Sequence, residues 1–92
     1  MFTLHPQSST PLVTQIVEGF RRLIEDQSLR AGTKVPSVRQ FAAAHEVSVF
    51  TVVEAYDRLV AQGWLVSRPN QGFFVKSRPV VVASGAVGAS GF

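Results

Sequence analysis

Two helix starts stand close together in the middle of this chain, and nothing else in it constrains the fold as much. Ser37-Val38-Arg39-Gln40 has the form of a capping box, a serine followed three residues later by a glutamine. It predicts a helix of about Val38 to Ala44, with Phe41 and Ala42 toward the core. His45-Glu46-Val47 reads as a turn, and Ser48 as a second N-cap. The helix it opens is expected from Val49 to about Ala61, with Val52, Tyr56, Leu59 and Val60 as its buried stripe. Glu54 and Arg58 are four apart in the order that favours a surface ion pair, and Gln62-Gly63 closes the helix.

The flanks complete the arrangement. Met1 to Ser9 reads as a loose leader. Thr10-Pro11 looks like an N-cap followed by proline at the first helical position. Leu12, Ile16, Phe20, Leu23 and Ile24 then form one apolar helical stripe, ending near Ser28. Gly19 should weaken this helix slightly. Lys34-Val35 is held extended by Pro36. Trp64–Arg68 and Gly72–Lys76 are rich in strand formers, with turn chemistry at Pro69-Asn70-Gln71 between them. The order is helix, short strand, helix, tight turn, helix, hairpin. That is mainly α with a small β wing, a winged helix-turn-helix over residues 10–76. From Ser77 the chain turns small, apolar and Gly/Ser-rich, and 77–92 reads as a linker or tail.

Ninety-two residues suffice for one small domain. There is no cysteine, so neither a disulfide nor a Cys zinc site can form, which fits a reducing cytoplasm. No run approaches the length of a membrane span, and no signal peptide is visible. His5 and His45 have no carboxylate cluster at ligand spacing, so no metal site is expected. No serine has a His/Asp partner in a triad-like pattern, and the glycines form no phosphate-cradling loop. An enzymatic role for this chain is therefore not expected. The net charge of +3 is modest, but its distribution is uneven. Arg21 and Arg22 stand against Glu18, Glu25 and Asp26 up to residue 26. Beyond it come Arg30, Lys34, Arg39, Arg58, Arg68, Lys76 and Arg78 against Glu46, Glu54 and Asp57. The basic excess falls on the helix-turn-helix and hairpin.

In a helix-turn-helix the second helix presents its N-terminal residues to the major groove. Ser48, Val49, Phe50 and Thr51 occupy that position here. The hydroxyls of Ser48 and Thr51, with the first free amides of the helix, suit phosphate oxygens; the plain alternative is that Ser48 is only a cap. Phe50 lies off the buried stripe, which suits either a thymine methyl or a protein contact. Arg39 sits at a helix N-terminus, against the dipole, so it is not placed there for helix stability. Ser37 beside it is a capping residue. The hairpin tip offers Arg68, Asn70 and Gln71 to a minor groove or a phosphate backbone, with Gly72 allowing close approach; an ordinary solvated turn is the alternative. Phe73 and Phe74 alternate faces, so only one can be on the core side.

Several separated strings resemble the N-terminal domain of the GntR family of bacterial regulators. They are Pro11-Leu12-Val13-Thr14-Gln15-Ile16, then Gly32-Thr33-Lys34-Val35-Pro36-Ser37-Val38-Arg39-Gln40-Phe41-Ala42, Val47-Ser48 and Gly72-Phe73-Phe74-Val75. Thr51-Val52-Val53-Glu54-Ala55-Tyr56-Asp57-Arg58-Leu59 looks like the MocR subgroup in particular. The resemblance implies double-stranded operator DNA as partner, a homodimer in the full-length protein, and family DNA-contact positions at Ser37, Arg39, Ser48, Thr51 and Gly72. In the MocR subgroup a linker and an aminotransferase-like domain carrying pyridoxal phosphate follow. The only lysines here, Lys34 and Lys76, lie in the DNA-binding part, so no cofactor is assigned to this chain. The chain departs from the family pattern at Glu46, where glycine is usual, at Val49, where arginine is, and at Phe50, where asparagine or threonine is. The last two remove polar groups from the tip of the recognition helix.

The expected function is sequence-specific DNA binding for transcription control. The alternative is a winged helix used as a protein-interaction module, with Val49 and Phe50 as an apolar docking patch. The two differ in salt dependence, because a protein that binds phosphates loses affinity steeply as salt rises.

Overall fold

The structure is a computed structural model and describes residues 2–76. Three helices, α1 (Leu12–Glu25), α2 (Val38–His45) and α3 (Val49–Ala61), are followed by an antiparallel hairpin of β1 (Leu65–Arg68) and β2 (Gly72–Val75). This is the winged helix-turn-helix expected from the sequence. The segment 77–92, read as a linker, lies outside the described residues.

Each helix boundary has a local cause. The Ser37 hydroxyl accepts from the Gln40 amide at 3.1 Å, while the Gln40 side chain accepts from the Ser37 amide at 3.0 Å, so the capping box closes in both directions. At the start of α3 the Ser48 hydroxyl accepts from the Phe50 amide at 3.1 Å. The helix α1 starts differently from expectation. Pro11 rather than Thr10 is its N-cap, without a side-chain cap, and the helix ends at Glu25 rather than near Ser28. Gln27 turns left-handed two residues after that end, with φ 67°, and leads the chain away.

The ends of α2 and α3 share one motif. The Val47 amide donates to the Ala42 carbonyl at 3.0 Å and the Glu46 amide to that of Ala43 at 3.4 Å. After α3, Trp64 donates to Leu59 at 2.9 Å and Gly63 to Val60 at 3.1 Å. Both are Schellman closures, which require a left-handed residue just past the helix. Gly63 provides it at φ 87°, and Glu46 at φ 55°, ψ 46°.

The core lies where the three helices meet the hairpin. Ile16, Val17 and Phe20 of α1, Phe41 and Ala42 of α2, and Val52, Ala55, Tyr56 and Leu59 of α3 are buried against Val35, Leu65 and Val75. Val17 and Ala55 thus join the stripes read from the sequence. Leu12 and Leu23 are only half-buried, and Val60 is 36% exposed, not buried as expected. Tyr56 stands at the centre. Its ring meets Phe20 edge-on at 5.6 Å and Phe73 at 4.9 Å, and its hydroxyl donates to the Pro36 carbonyl at 2.7 Å. The buried phenol is therefore satisfied, as a polar atom in a core must be. Burial pushes its pKa well above the ordinary tyrosine value, because the charged form has lost its water.

Residues 2–9, read as part of a loose leader, and Thr10 after them make specific contacts with α1. Phe2 packs edge-on against Phe20 at 5.3 Å and near Phe41 at 5.8 Å. The Gln15 amide holds the segment from both sides. It accepts from the His5 amide at 2.7 Å and donates to the carbonyls of His5 at 2.9 Å and Thr10 at 2.7 Å. Gly19 makes room for it, since a Cβ there would stand 2.6 Å from the Phe2 ring.

Candidate nucleic-acid interface

Ser48 ends the tight turn and leaves the first turn of α3 projecting from the domain. Phe50 is 86% exposed and Val49 45%, although both are large apolar residues on a helix whose other face is core. Thr51 is half-buried, and Val53, one turn beyond Val49, is 40% exposed. The expectation that Phe50 lies off the buried stripe holds. Glu54, the next exposed residue, is committed to Arg58 by an ion pair of 3.1 Å.

The second group of candidates is at the start of α2. Arg39 is exposed in the first turn, after the half-buried Ser37. No acidic side chain pairs with it among the described residues. Ser37 has its hydroxyl engaged by the Gln40 amide, so its cap role is real whatever else it does.

The third group is the wing. Leu65 pairs with Val75 and Arg68 with Gly72, which leaves Pro69, Asn70 and Gln71 as the exposed tip. The Gln71 amide donates to the Arg68 carbonyl at 3.0 Å, closing a tight turn. Proline fixes the first turn position and Asn70 takes the left-handed one at φ 62°, as that residue type tolerates. Phe73 faces the core and Phe74 the other side, where the Arg68 guanidinium sits 5.2 Å from its ring centre. The aromatic face steadies the cation at the end of the strand.

A residue not singled out from the sequence joins the wing. The extended piece at Lys34 bridges to Phe74, and amide–carbonyl bonds from Gly32 to Val75 (2.8 Å), Val75 to Thr33 (2.8 Å) and Val35 to Phe73 (3.0 Å) make it a third edge on β2. The exposed Lys34 side chain thereby crosses over Gly72, its Cε 3.2 Å from where a Cβ would be. Gly72 is also at φ 110°, so a side chain there would strain the backbone and push the lysine stem aside by a few tenths of an ångström. The available signal was the apposition of a short Lys-Val-Pro strand with an apolar hairpin.

The electrostatics divide the cations. Arg21 is held by Glu18 and by Glu25 (2.6 Å), which keeps the Glu18 carboxyl below its usual range, and Arg58 is held by Glu54. Arg22, Arg30, Lys34, Arg39, Arg68 and Lys76 form no salt bridge among the described residues, although Arg22 is near enough to help lower the Glu18 pKa. All but Arg22 follow Gln27, on the segments that build the helix-turn-helix and wing. Among the described residues no group of His, Cys, Asp or Glu is placed to hold a metal, and no helix is long and apolar enough to cross a membrane.

The sequence and the fold are similar to those of known proteins. Residues 12–75 match the family described as bacterial regulatory proteins, gntR family. The chain is 36% identical over 93 residues to the probable rhizopine catabolism regulatory protein MocR of Rhizobium meliloti, an alignment covering 99% of this chain and 19% of that one. It is 35% identical over 71 residues to the uncharacterized HTH-type transcriptional regulator YhdI of Bacillus subtilis, covering 77% of this chain and 15% of YhdI. The chain thus spans less than a fifth of the length of these two regulators. Among solved structures it superimposes on YtrA of Sulfolobus acidocaldarius, a GntR-family transcription factor, with TM-score 0.80 and 32% identity, covering 87% of this chain and 68% of that one. With its winged helix-turn-helix and the matched span from α1 through β2, the chain belongs to the gntR family of bacterial regulatory proteins, as a DNA-binding regulator domain.

Proposed function

We propose that this domain binds double-stranded operator DNA sequence-specifically to control transcription in the bacterial cytoplasm. The first turn of α3 enters the major groove with Ser48, Val49, Phe50 and Thr51. Ser37 and Arg39 of α2 flank it, and Arg68, Asn70, Gln71 and Gly72 of the wing, with Lys34, meet the neighbouring backbone or minor groove. The observation that carries this reading is the set of unpaired cations. Lys34, Arg39 and Arg68 are exposed without acidic partners among the described residues, whereas the cations on the solvent faces of α1 and α3 at Arg21 and Arg58 are neutralised within their helices. Phosphate contacts release counterions, so the logarithm of affinity should fall linearly with the logarithm of salt concentration. Selection of bound sites from random duplex DNA, then isotherms at several salt concentrations, tests this. A flat salt response would favour protein docking at the exposed Phe50 instead.

For the full-length protein we propose a MocR-like regulator that acts as a homodimer on a two-fold site, with a pyridoxal phosphate domain after the linker. The alignment with MocR along 99% of this chain supports it; the likeness to YtrA favours the wider family equally. Cofactor absorption and light scattering on the full-length protein test the two parts separately.

A further inference from the structure

We propose that the recognition helix reads operator sequence through the 5-methyl groups of pyrimidines, carried by thymine in ordinary DNA, rather than through hydrogen bonds to base edges. The inference rests on the DNA-binding reading above and deepens it. Base edges in the major groove offer two kinds of handle, hydrogen-bonding groups and the thymine methyl. The exposed residues of the first two turns of α3 are Val49, Phe50, Val53 and Glu54. Three of them have no hydrogen-bonding atom in the side chain. The fourth is an acceptor already engaged by Arg58. Thr51, the only hydroxyl in the first turn after the cap, is half-buried, and the Tyr56 hydroxyl is turned into the core toward Pro36. The one exposed side-chain donor at this tip is the hydroxyl of the Ser48 cap, whose oxygen is held by the Phe50 amide, so beyond the cap no exposed donor in these two turns faces a guanine or adenine edge.

What it does have is apolar area. At 100° per residue Val49 and Val53 lie on one side of α3, with Phe50 adjoining. They are 45%, 40% and 86% exposed. An aromatic residue so open on a soluble domain calls for a partner, and the flanking charges indicate which one. Arg39 and Arg68 are unpaired cations among the described residues, suited to polyanionic backbone rather than to an apolar protein surface. Affinity then comes from the cations and preference from methyl packing.

Removing the methyl alone is a clean perturbation, because uracil keeps every hydrogen-bonding group of thymine. A duplex selected by the 92-residue chain from a random pool is remade with deoxyuridine at each thymine in turn. The expected result is a loss of about fourfold in affinity for each methyl that is read, the value of one buried CH₂-sized group. The loss should vanish in the V49A/F50A double variant, which keeps its fold because both side chains are largely outside the core. Replacing a read thymine by 5-methylcytosine should retain more affinity than replacing it by cytosine. Salt-dependent binding that is indifferent to uracil overturns methyl reading and leaves DNA binding standing. A uracil penalty that persists in the double variant places the reader elsewhere and also overturns it. Absence of salt-dependent binding to any duplex overturns both readings.

Discussion

Replacing Glu46 with glycine should stabilise this domain, against the usual trend for mutations to glycine. Glu46 is held at φ 55°, ψ 46° by the closure that ends α2. A side chain in that region crowds the following carbonyl and costs roughly 1–2 kcal/mol, which glycine avoids. Its carboxylate also stands at the negative end of the helix dipole, unfavourable by about 0.3–1 kcal/mol. Against this, glycine loses more backbone freedom on folding, about 0.5–1 kcal/mol. The balance is a gain of about 1 kcal/mol. For a domain of this size it raises Tm by about 4–8 °C. Thermal melts followed by far-ultraviolet circular dichroism on wild type, Glu46→Gly and Glu46→Ala measure it. Alanine removes the charge but keeps the crowding, so it should recover only the smaller, dipole part. Gly63 occupies the same place after α3 at φ 87°, and Gly63→Ala should lower Tm for the converse reason. A lower Tm for Glu46→Gly than for wild type would refute the strain argument.

Tyr56→Phe deletes the hydroxyl that donates to Pro36, and should cost about 1–3 kcal/mol by leaving that carbonyl unsatisfied. The phenol is held above its ordinary pKa by burial, so the wild type should keep its full stability below about pH 10 and lose it above, by about 1.4 kcal/mol per pH unit; denaturant melts against pH should show a shallower alkaline decline in the variant. Gly19→Ala gains about 1 kcal/mol of helix propensity but pushes the Phe2 ring off α1. Its Tm should change little while the leader is cut faster by a protease selective for aromatic residues; unchanged cleavage would mean that Phe2 stays docked. Arg39→Ala should leave the melt unchanged and weaken binding about equally on all duplexes with a shallower salt dependence, as isotherms at several salt concentrations would show; a loss confined to one duplex would instead make Arg39 a base reader. Val49→Arg should raise affinity for a guanine-bearing site by about 1–3 kcal/mol. A gain equal on all duplexes and lost at high salt would assign that arginine to phosphate instead.

The fold was legible because its boundaries are written in local chemistry. Ser37 with Gln40, Ser48, and Gly63 each satisfy orphan backbone groups with the residue types suited to the task, so the helix limits followed to within a residue at α2 and α3. The start of α1 lacks such a signal. Thr10 and Pro11 are both plausible first residues, and the structure caps with proline while the Thr10 carbonyl goes to Gln15. Burial was legible only as a period. Val60 falls near the edge of the stripe of α3, where the hairpin and the other helices do not reach, while Ala55, too small to draw notice, lies at the stripe's centre. The docking of residues 2–10 depends on contacts between segments far apart in sequence. Gln15 reaches back ten residues to His5, and Phe2 fills the notch that Gly19 leaves. No periodicity reports pairings of that kind.

The site differs in what was hidden. Its exposed residues follow from helix geometry once the cap at Ser48 is known, because residues just after a cap and off the core stripe must project. Phe50 was reached that way, and Arg39 in the same manner from the cap at Ser37. Lys34 was not, because its place depends on the edge pairing with Phe74 that lays its stem across Gly72. That pairing has a consequence for function. The glycine, the lysine and the left-handed Asn70 turn form one unit, so shape and charge at the wing cannot vary independently. Alanine at Gly72 would strain a backbone at φ 110° and displace the lysine stem together. The tip of α3 has no such coupling. Val49 and Phe50 lie outside the buried core, so changes there should cost folding little. If the proposed DNA-binding mode holds, the wing keeps its shape and charge fixed by structure, while the tip of α3 can vary in what it reads.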